Sequence, residues 1–209
     1  MSGTPASGPA PAPPGGEVFR GAFTGQDPIP EAARAAVAVL LETGRLHRYA
    51  GPGGEPGQAT LLEREFAAWQ GSRYCLAVTS CGQAMQIALR AAGVAPGDPV
   101  LMNAFTLAPV PGAIAAVGGR PVLVEIDAAL TIDMDDLARK AEASGARVLL
   151  LSHMRGHLCD MDRLMELARR LDLSVIEDCA HTMGAHWGAT RSGNFGLAAC
   201  FSTQSYKHM

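Results

Sequence analysis

The run ARVLLLSHMRGHLCDMDRLMELARRLDLSVIED, residues 146–178, decides the fold. It opens on an apolar stretch, 146–152, and closes on a second, 173–178. Between them Leu164, Leu167, Ala168 and Leu171 recur at i, i+3, i+4 and i+7, which predicts a helix over Met161–Leu171 with one buried face. Strands that are apolar throughout need cover on both faces, and a helix between two such strands sets them parallel. The same rhythm extends outward. The runs 73–79, 99–103, 121–126 and 197–202 read as further strands, and Gln83–Ala92, Val110–Val117 and Met134–Ser144 as helices between strands. Asp133 is the expected N-cap of the helix at Met134 and Gly145 its C′ residue. Upstream, Pro28, Pro30 and Glu31 open a helix through Ala33, Val37, Leu40 and Leu41 that Gly44 closes. Residues 45–58 read as loop, and a second helix carries Leu61, Leu62, Phe66 and Trp69 on one face up to Gly71. The expected fold class is α/β, a mainly parallel sheet covered by helices on both faces.

Composition narrows the function classes. With 48% hydrophobic and 18% charged residues the chain reads as globular, not disordered. A formal charge of −3 and the lack of any Lys/Arg run argue against nucleic-acid and polybasic membrane binding. No apolar run approaches the roughly 20 residues that span a bilayer. Five cysteines without a CxxC pair suit a reduced, cytoplasmic protein. The opening MSGTPASGPAPAPPGGE has neither the basic region nor the apolar core of a signal peptide, and its composition predicts a disordered leader over 1–17 ahead of a domain at 18–209.

Chemistry is expected at the C-terminal ends of the strands, where open α/β sheets bind ligands. Ser80-Cys81-Gly82-Gln83-Ala84 joins a strand to a helix, so its amides can meet an anion, although taken alone it reads better as a plain strand–helix turn. Glu177-Asp178-Cys179-Ala180-His181 ends an apolar strand with two acids that need partners if buried. Either they are a solvated strand end, or one of them holds a pyridine nitrogen protonated. Ser202 and Lys207 follow the last run and suit a phosphate contact and a Schiff base, or simple solvation. Phe105 and Leu107, past another strand, suit a flat ring or the core. His153, His157, Cys159 and Asp160 lie close together in sequence but match no zinc spacing, so no metal is expected. The link 179–196 is glycine-rich and reads as non-helical, the place where function should gather.

Taken together, seven blocks in order resemble the DegT/DnrJ/StrS family of sugar aminotransferases, fold type I pyridoxal-phosphate (PLP) enzymes, over roughly residues 20–209. They are Gly44-Arg45…Tyr49 with Leu62-Glu63…Phe66-Ala67…Gly71, the turn and helix at Ser80–Leu89, Gly97-Asp98-Pro99-Val100, Phe105-Thr106 with Ala113-Ile114, His153…Gly156…Asp160-Met161-Asp162, Val175-Ile176-Glu177-Asp178-Cys179-Ala180-His181, and Gly184-Ala185…Gly193…Gly196…Phe201-Ser202…Lys207. The resemblance implies that Lys207 carries the cofactor and Asp178 pairs with its pyridinium nitrogen. Ala180 would pack on one ring face, and His181, where relatives often have Gln, would lie on the hydroxyl side. Ser202 with the Cys81 and Gly82 amides would bind the phosphate. Gly82 stands where relatives often have Thr, and Leu107 where many have an aromatic, which leaves stacking there weaker or falling to Phe105. The implied reaction passes an amino group from an amino-acid donor to a keto-sugar, often nucleotide-linked, or a keto-cyclitol, in a cytoplasmic homodimer. Lys207 argues against the dehydratases of the same fold, which replace it with histidine. The resemblance further implies that 18–209 is an incomplete large domain, without the small C-terminal domain and without a strand that would insert between 73–79 and 197–202. A non-catalytic remnant of the fold is the rival reading.

Overall fold

The computed structural model describes residues 28–51, 53–205 and 207, so the expected leader at 1–17 lies outside the described residues. Five parallel strands form the sheet, β1 (Pro99–Asn103), β2 (Arg120–Val124), β3 (Val148–Ser152), β4 (Ser174–Asp178) and β7 (Ala198–Cys200), in the order β2-β1-β3-β4-β7. The α/β expectation holds, and every strand pair in this sheet is parallel.

Alternation along each strand builds two cores. Val100, Met102, Val148, Leu150 and Ile176 face α3 (Cys81–Ala91) and α4 (Pro109–Ala116). Leu101, Leu149, Leu151 and Val175 face α5 (Met134–Ser144) and α6 (Met161–Arg170). Both sheet faces are therefore dry, which is why these strands read as unbroken apolar runs. The caps are where the residue types put them. Asp133 accepts from the Asp135 and Asp136 amides, Gly145 takes a left-handed conformation, and Asp160 accepts from the Arg163 amide.

One expectation needs revision. The run 73–79 forms no strand and joins none among the described residues. Its backbone is taken by side chains instead. Arg48 donates to the Ala77 carbonyl at 3.0 Å, and Glu63 accepts from the Ala77 amide at 2.7 Å. Gln83 accepts from the Thr79 amide at 3.2 Å. A ladder needs a neighbour within hydrogen-bonding reach, and an open cleft separates this run from β7. Arg48 and Glu63 also pair with each other, tying the loop before α2 (Gln58–Gln70) to that helix. The glycine-rich link holds no helix, as expected, and carries in addition a two-stranded hairpin, β5 (His186–Trp187) with β6 (Thr190–Arg191).

α1 (Glu31–Thr43) stands apart. None of its residues is buried, and Val37, Val39 and Leu41 are more than half exposed. No described helix is long and apolar enough to cross a membrane.

Candidate active site

β1, β3 and β4 each end in a buried polar residue, Asn103, Ser152 and Asp178. All five strands run the same way, so these ends share one rim of the sheet, and a cleft of about 1280 Å3 opens beside it. Cys81, Gly82, Leu107, Asp178, Ala180, His181, Ser202 and Lys207 all line that cleft. Of the residues that the resemblance assigns to the cofactor, Phe105 is not in its wall; its carbonyl accepts from Asn103 Nδ2 at 3.0 Å.

Asp178 is 8% exposed. Its Oδ2 accepts from Ser152 Oγ at 2.9 Å, and its Oδ1 accepts from the Ala180 amide at 3.2 Å. The Cys81 thiol lies 3.8 Å from Oδ1. Burial, and then the nearby Asp178 charge, push that thiol up to about 12, against a smaller opposing pull from Lys207. It stays protonated and unreactive. Ser80 caps α3 by accepting from the Gln83 amide, and the Cys81 and Gly82 amides of the same first turn have no acceptor within the helix. The start of α3 thus offers donors and a favourable dipole to an anion. His181 Nδ1 accepts from the Arg155 amide at 3.4 Å, and Arg155 itself adopts a left-handed backbone at φ 58°. The Lys207 amide donates to the Gln204 carbonyl at 2.7 Å, which turns the chain just past Ser202.

Glu177 settles the question of the paired acids. It is fully buried on the face of β4 opposite Asp178, and four N–H donors meet it. Oε2 accepts from His153 Nε2 at 3.1 Å and from the Gly193 amide at 2.9 Å. Oε1 accepts from the amides of Phe195 at 2.9 Å and Gly196 at 3.0 Å. Burial opposes the charged form, but the His153 and backbone hydrogen bonds outweigh it and hold this carboxyl below its ordinary range. Glu177 therefore pins the loop that leads into β7 and on to Ser202 and Lys207. The loop has to lie close. A Cβ on Gly196 would sit 2.3 Å from the Val175 carbonyl oxygen, and one on Gly193 would sit 2.6 Å from the Phe201 ring at a φ of +92°. α2 holds the loop from outside, where Gln70 donates to the Ser192 carbonyl at 2.8 Å and Arg191 stacks on Trp69.

His153, Glu177 and Cys179 bring their polar atoms within 4.8 Å of one another, a cluster that linear spacing did not suggest. Its chemistry is that of a hydrogen-bond network. Both Glu177 oxygens already accept two hydrogens each, and burial keeps the Cys179 thiol protonated well above its usual range. Cys159 packs in the α5–α6 core and Asp160 caps α6. Sequence reading gave no role to Asn103 or Thr106, which stand in the stretch 103–107 past a strand, and missed Ser152. The signal was present, since Asn103 and Ser152 are the polar last residues of apolar runs.

The fold has counterparts. 3-Amino-5-hydroxybenzoate synthase of Amycolatopsis mediterranei is 34% identical over 180 residues, 86% of this chain and 45% of the relative. dTDP-3-amino-3,4,6-trideoxy-alpha-D-glucose transaminase of Streptomyces venezuelae is 37% identical over 176 residues, 84% of this chain and 44% of the relative. The chain thus spans about half the length of these curated relatives. A Streptococcus pneumoniae protein, solved in a PLP form, superposes with a TM-score of 0.78 at 25% identity, over 90% of this chain and 50% of that one. The model of the DegT/DnrJ/EryC1/StrS aminotransferase family matches residues 31–209, and the chain belongs to that family.

Proposed function

We propose that the complete protein is a PLP-dependent aminotransferase that moves an amino group from an amino-acid donor to a keto-sugar or keto-cyclitol. One observation carries the reading. Asp178 and Lys207, a buried carboxylate and an amine, line the same cleft as the start of α3 and Ser202. These residues fit the cofactor by their chemistry, with an acceptor for a ring N–H, a nucleophilic amine, and amide and hydroxyl donors for a phosphate. Thr106 Oγ1 adds to the fit, because it is buried in the cleft wall without a hydrogen-bond partner.

When bound, the cofactor supplies an electron sink for a carbanion beside nitrogen. Asp178 keeps a proton on the ring nitrogen. Lys207 Nζ would hold the cofactor, and its amine would serve to move a proton at the amino-bearing carbon of the substrate. Ser202 and the Cys81 and Gly82 amides would hold the phosphate, Ala180 would support one ring face, Leu107 or Phe105 would be the residue to cover the ring, and His181 would serve its hydroxyl side. The acceptor class rests on the relatives, whose names carry an amino sugar and an aminobenzoate. We further infer a second, smaller domain in the complete protein, in keeping with the length of those relatives. A cytoplasmic homodimer completes the reading, supported by five free thiols and by the uncovered apolar side chains of α1.

The test uses two variants of the complete protein. Lys207→Ala is expected to abolish the visible absorbance of bound cofactor. Asp178→Asn is expected to retain binding and to lose at least about tenfold in transamination, or about 1.4 kcal/mol of transition-state stabilisation. Wild-type turnover by Asp178→Asn would overturn the assignment.

A further inference from the structure

Three neighbouring strand ends are joined by a continuous run of hydrogen bonds. Asn103, at the end of β1, accepts at Oδ1 from the Ser152 amide at 2.9 Å and donates from Nδ2 to the Ser152 carbonyl at 3.1 Å. One side-chain amide thus grips both backbone groups of a residue on β3. The backbone ladder between these strands spans Val100–Met102 and Val148–Leu150, so Asn103 extends it by side chain to Ser152. Ser152 is the register partner of Asp178 on β4, and its Oγ donates to Asp178 Oδ2 at 2.9 Å. The three residues are 2%, 6% and 8% exposed. Burial matters, because a hydroxyl shielded from water has little else to bond, and a hydrogen bond to a charged acceptor is among the stronger kinds.

We propose that Asn103 and Ser152 are positioning residues for Asp178, fixing the orientation of its carboxylate toward the ligand in the cleft. The proposal rests on the reading of Asp178 given above and deepens it. A carboxylate at a strand end can turn about its Cα–Cβ and Cβ–Cγ bonds. The Ser152 hydroxyl takes Oδ2 on one side and the Ala180 amide takes Oδ1 on the other, so both torsions are set before a ligand arrives. Asn103 holds Ser152 from the β1 side, where the backbone ladder stops at Leu150, while β4 holds it from the other. The pair lies behind the acid, and its effect on a ligand passes through Asp178.

That path makes a sharp test. Affinity for pyridoxal 5′-phosphate is measured by fluorescence titration of the complete apo-protein, with thermal melting of the same samples without cofactor. Ser152→Ala is expected to weaken affinity about tenfold while the cofactor-free melting point stays within a few degrees of wild type. Ser152→Thr, which keeps the hydroxyl, is expected to restore it. Asn103→Ala is an independent variant and is expected to weaken affinity several-fold. In an Asp178→Asn background both losses should vanish, since groups that act through one residue are not additive. Wild-type affinity in Ser152→Ala, or an equal loss with and without Asp178, overturns the proposal. An Asp178→Asn control that binds and turns over like wild type instead removes the reading beneath it, and the two failures are told apart by that control.

Discussion

Glu177 and Asp178 are adjacent in sequence and opposite in environment. Alternation along β4 sends Asp178 to the cleft and Glu177 beneath the loop at 193–196. Sequence placed both acids at a strand end, but it could not say which was paired, because the donors to Glu177 come from residues 16 to 24 positions away. The folded carboxyl of Glu177 is depressed, so its stabilisation is complete above the unfolded value of about 4.3 and is lost as pH falls through the folded value. Glu177→Gln removes that charge and turns an amide donor toward backbone N–H groups. It should cost about 2 kcal/mol at pH 7, and the gap to wild type should narrow as pH drops below 4. Denaturant melts at the two pH values check this, and an equal gap at both would contradict the linkage. Asp178 was legible by resemblance. Its support from Ser152 and Asn103 was not, since only the sheet register brings β1, β3 and β4 ends side by side.

At the scale of elements, helices and buried strands were readable because each shows its own period. α6 buries Leu164, Leu167 and Ala168 of the face its spacing predicts, while Leu171 stands at its C-cap and is only partly buried. The run 73–79 has a strand-like composition too, yet strand formation depends on a neighbour, and composition carries no information about that. The link 179–196 was correctly read as non-helical, while its small hairpin was missed because two-residue strands leave almost no pattern. Its glycines now have reasons. Gly196→Ala forces a methyl against the Val175 carbonyl, so the loop must lift from β4. The expected cost is about 2 kcal/mol, seen as a lower melting point, together with weaker cofactor binding because Ser202 and Lys207 move with the loop. By contrast Gly44→Ala meets nothing within 4 Å and pays only for its left-handed backbone at φ 65°. A Gly196→Ala protein with wild-type melting and affinity would show that the loop does not position the lysine.

Among the described residues, two stretches without a strand partner face one cleft, the outer edge of β7 and the run 73–79, where Tyr74 and Leu76 are 75% and 56% exposed. Open apolar edges template aggregation, and a net stability of about 5–15 kcal/mol leaves little margin for them. We therefore expect these 209 residues, expressed alone, to be poorly soluble and inactive. A soluble, cooperatively melting chain that turns over an amino donor would refute this. The fold class itself was plain from the alternation of apolar runs and amphipathic helices, because five strands buried on both faces leave that signature in sequence.

The strand order has a consequence for synthesis. β2 pairs with β1, then β3 with the other side of β1, β4 with β3 and β7 with β4. Each of these strands joins an edge that is already in place, and none has to open an existing pair to enter. A polypeptide leaving the ribosome at about 5–20 residues per second can therefore lay the sheet down strand by strand, in the order of translation. Force-sensitive arrest of nascent chains should then record separate pulling events as β3, β4 and β7 clear the exit tunnel, whereas one late event after β7 would mean that the sheet waits for its last strand.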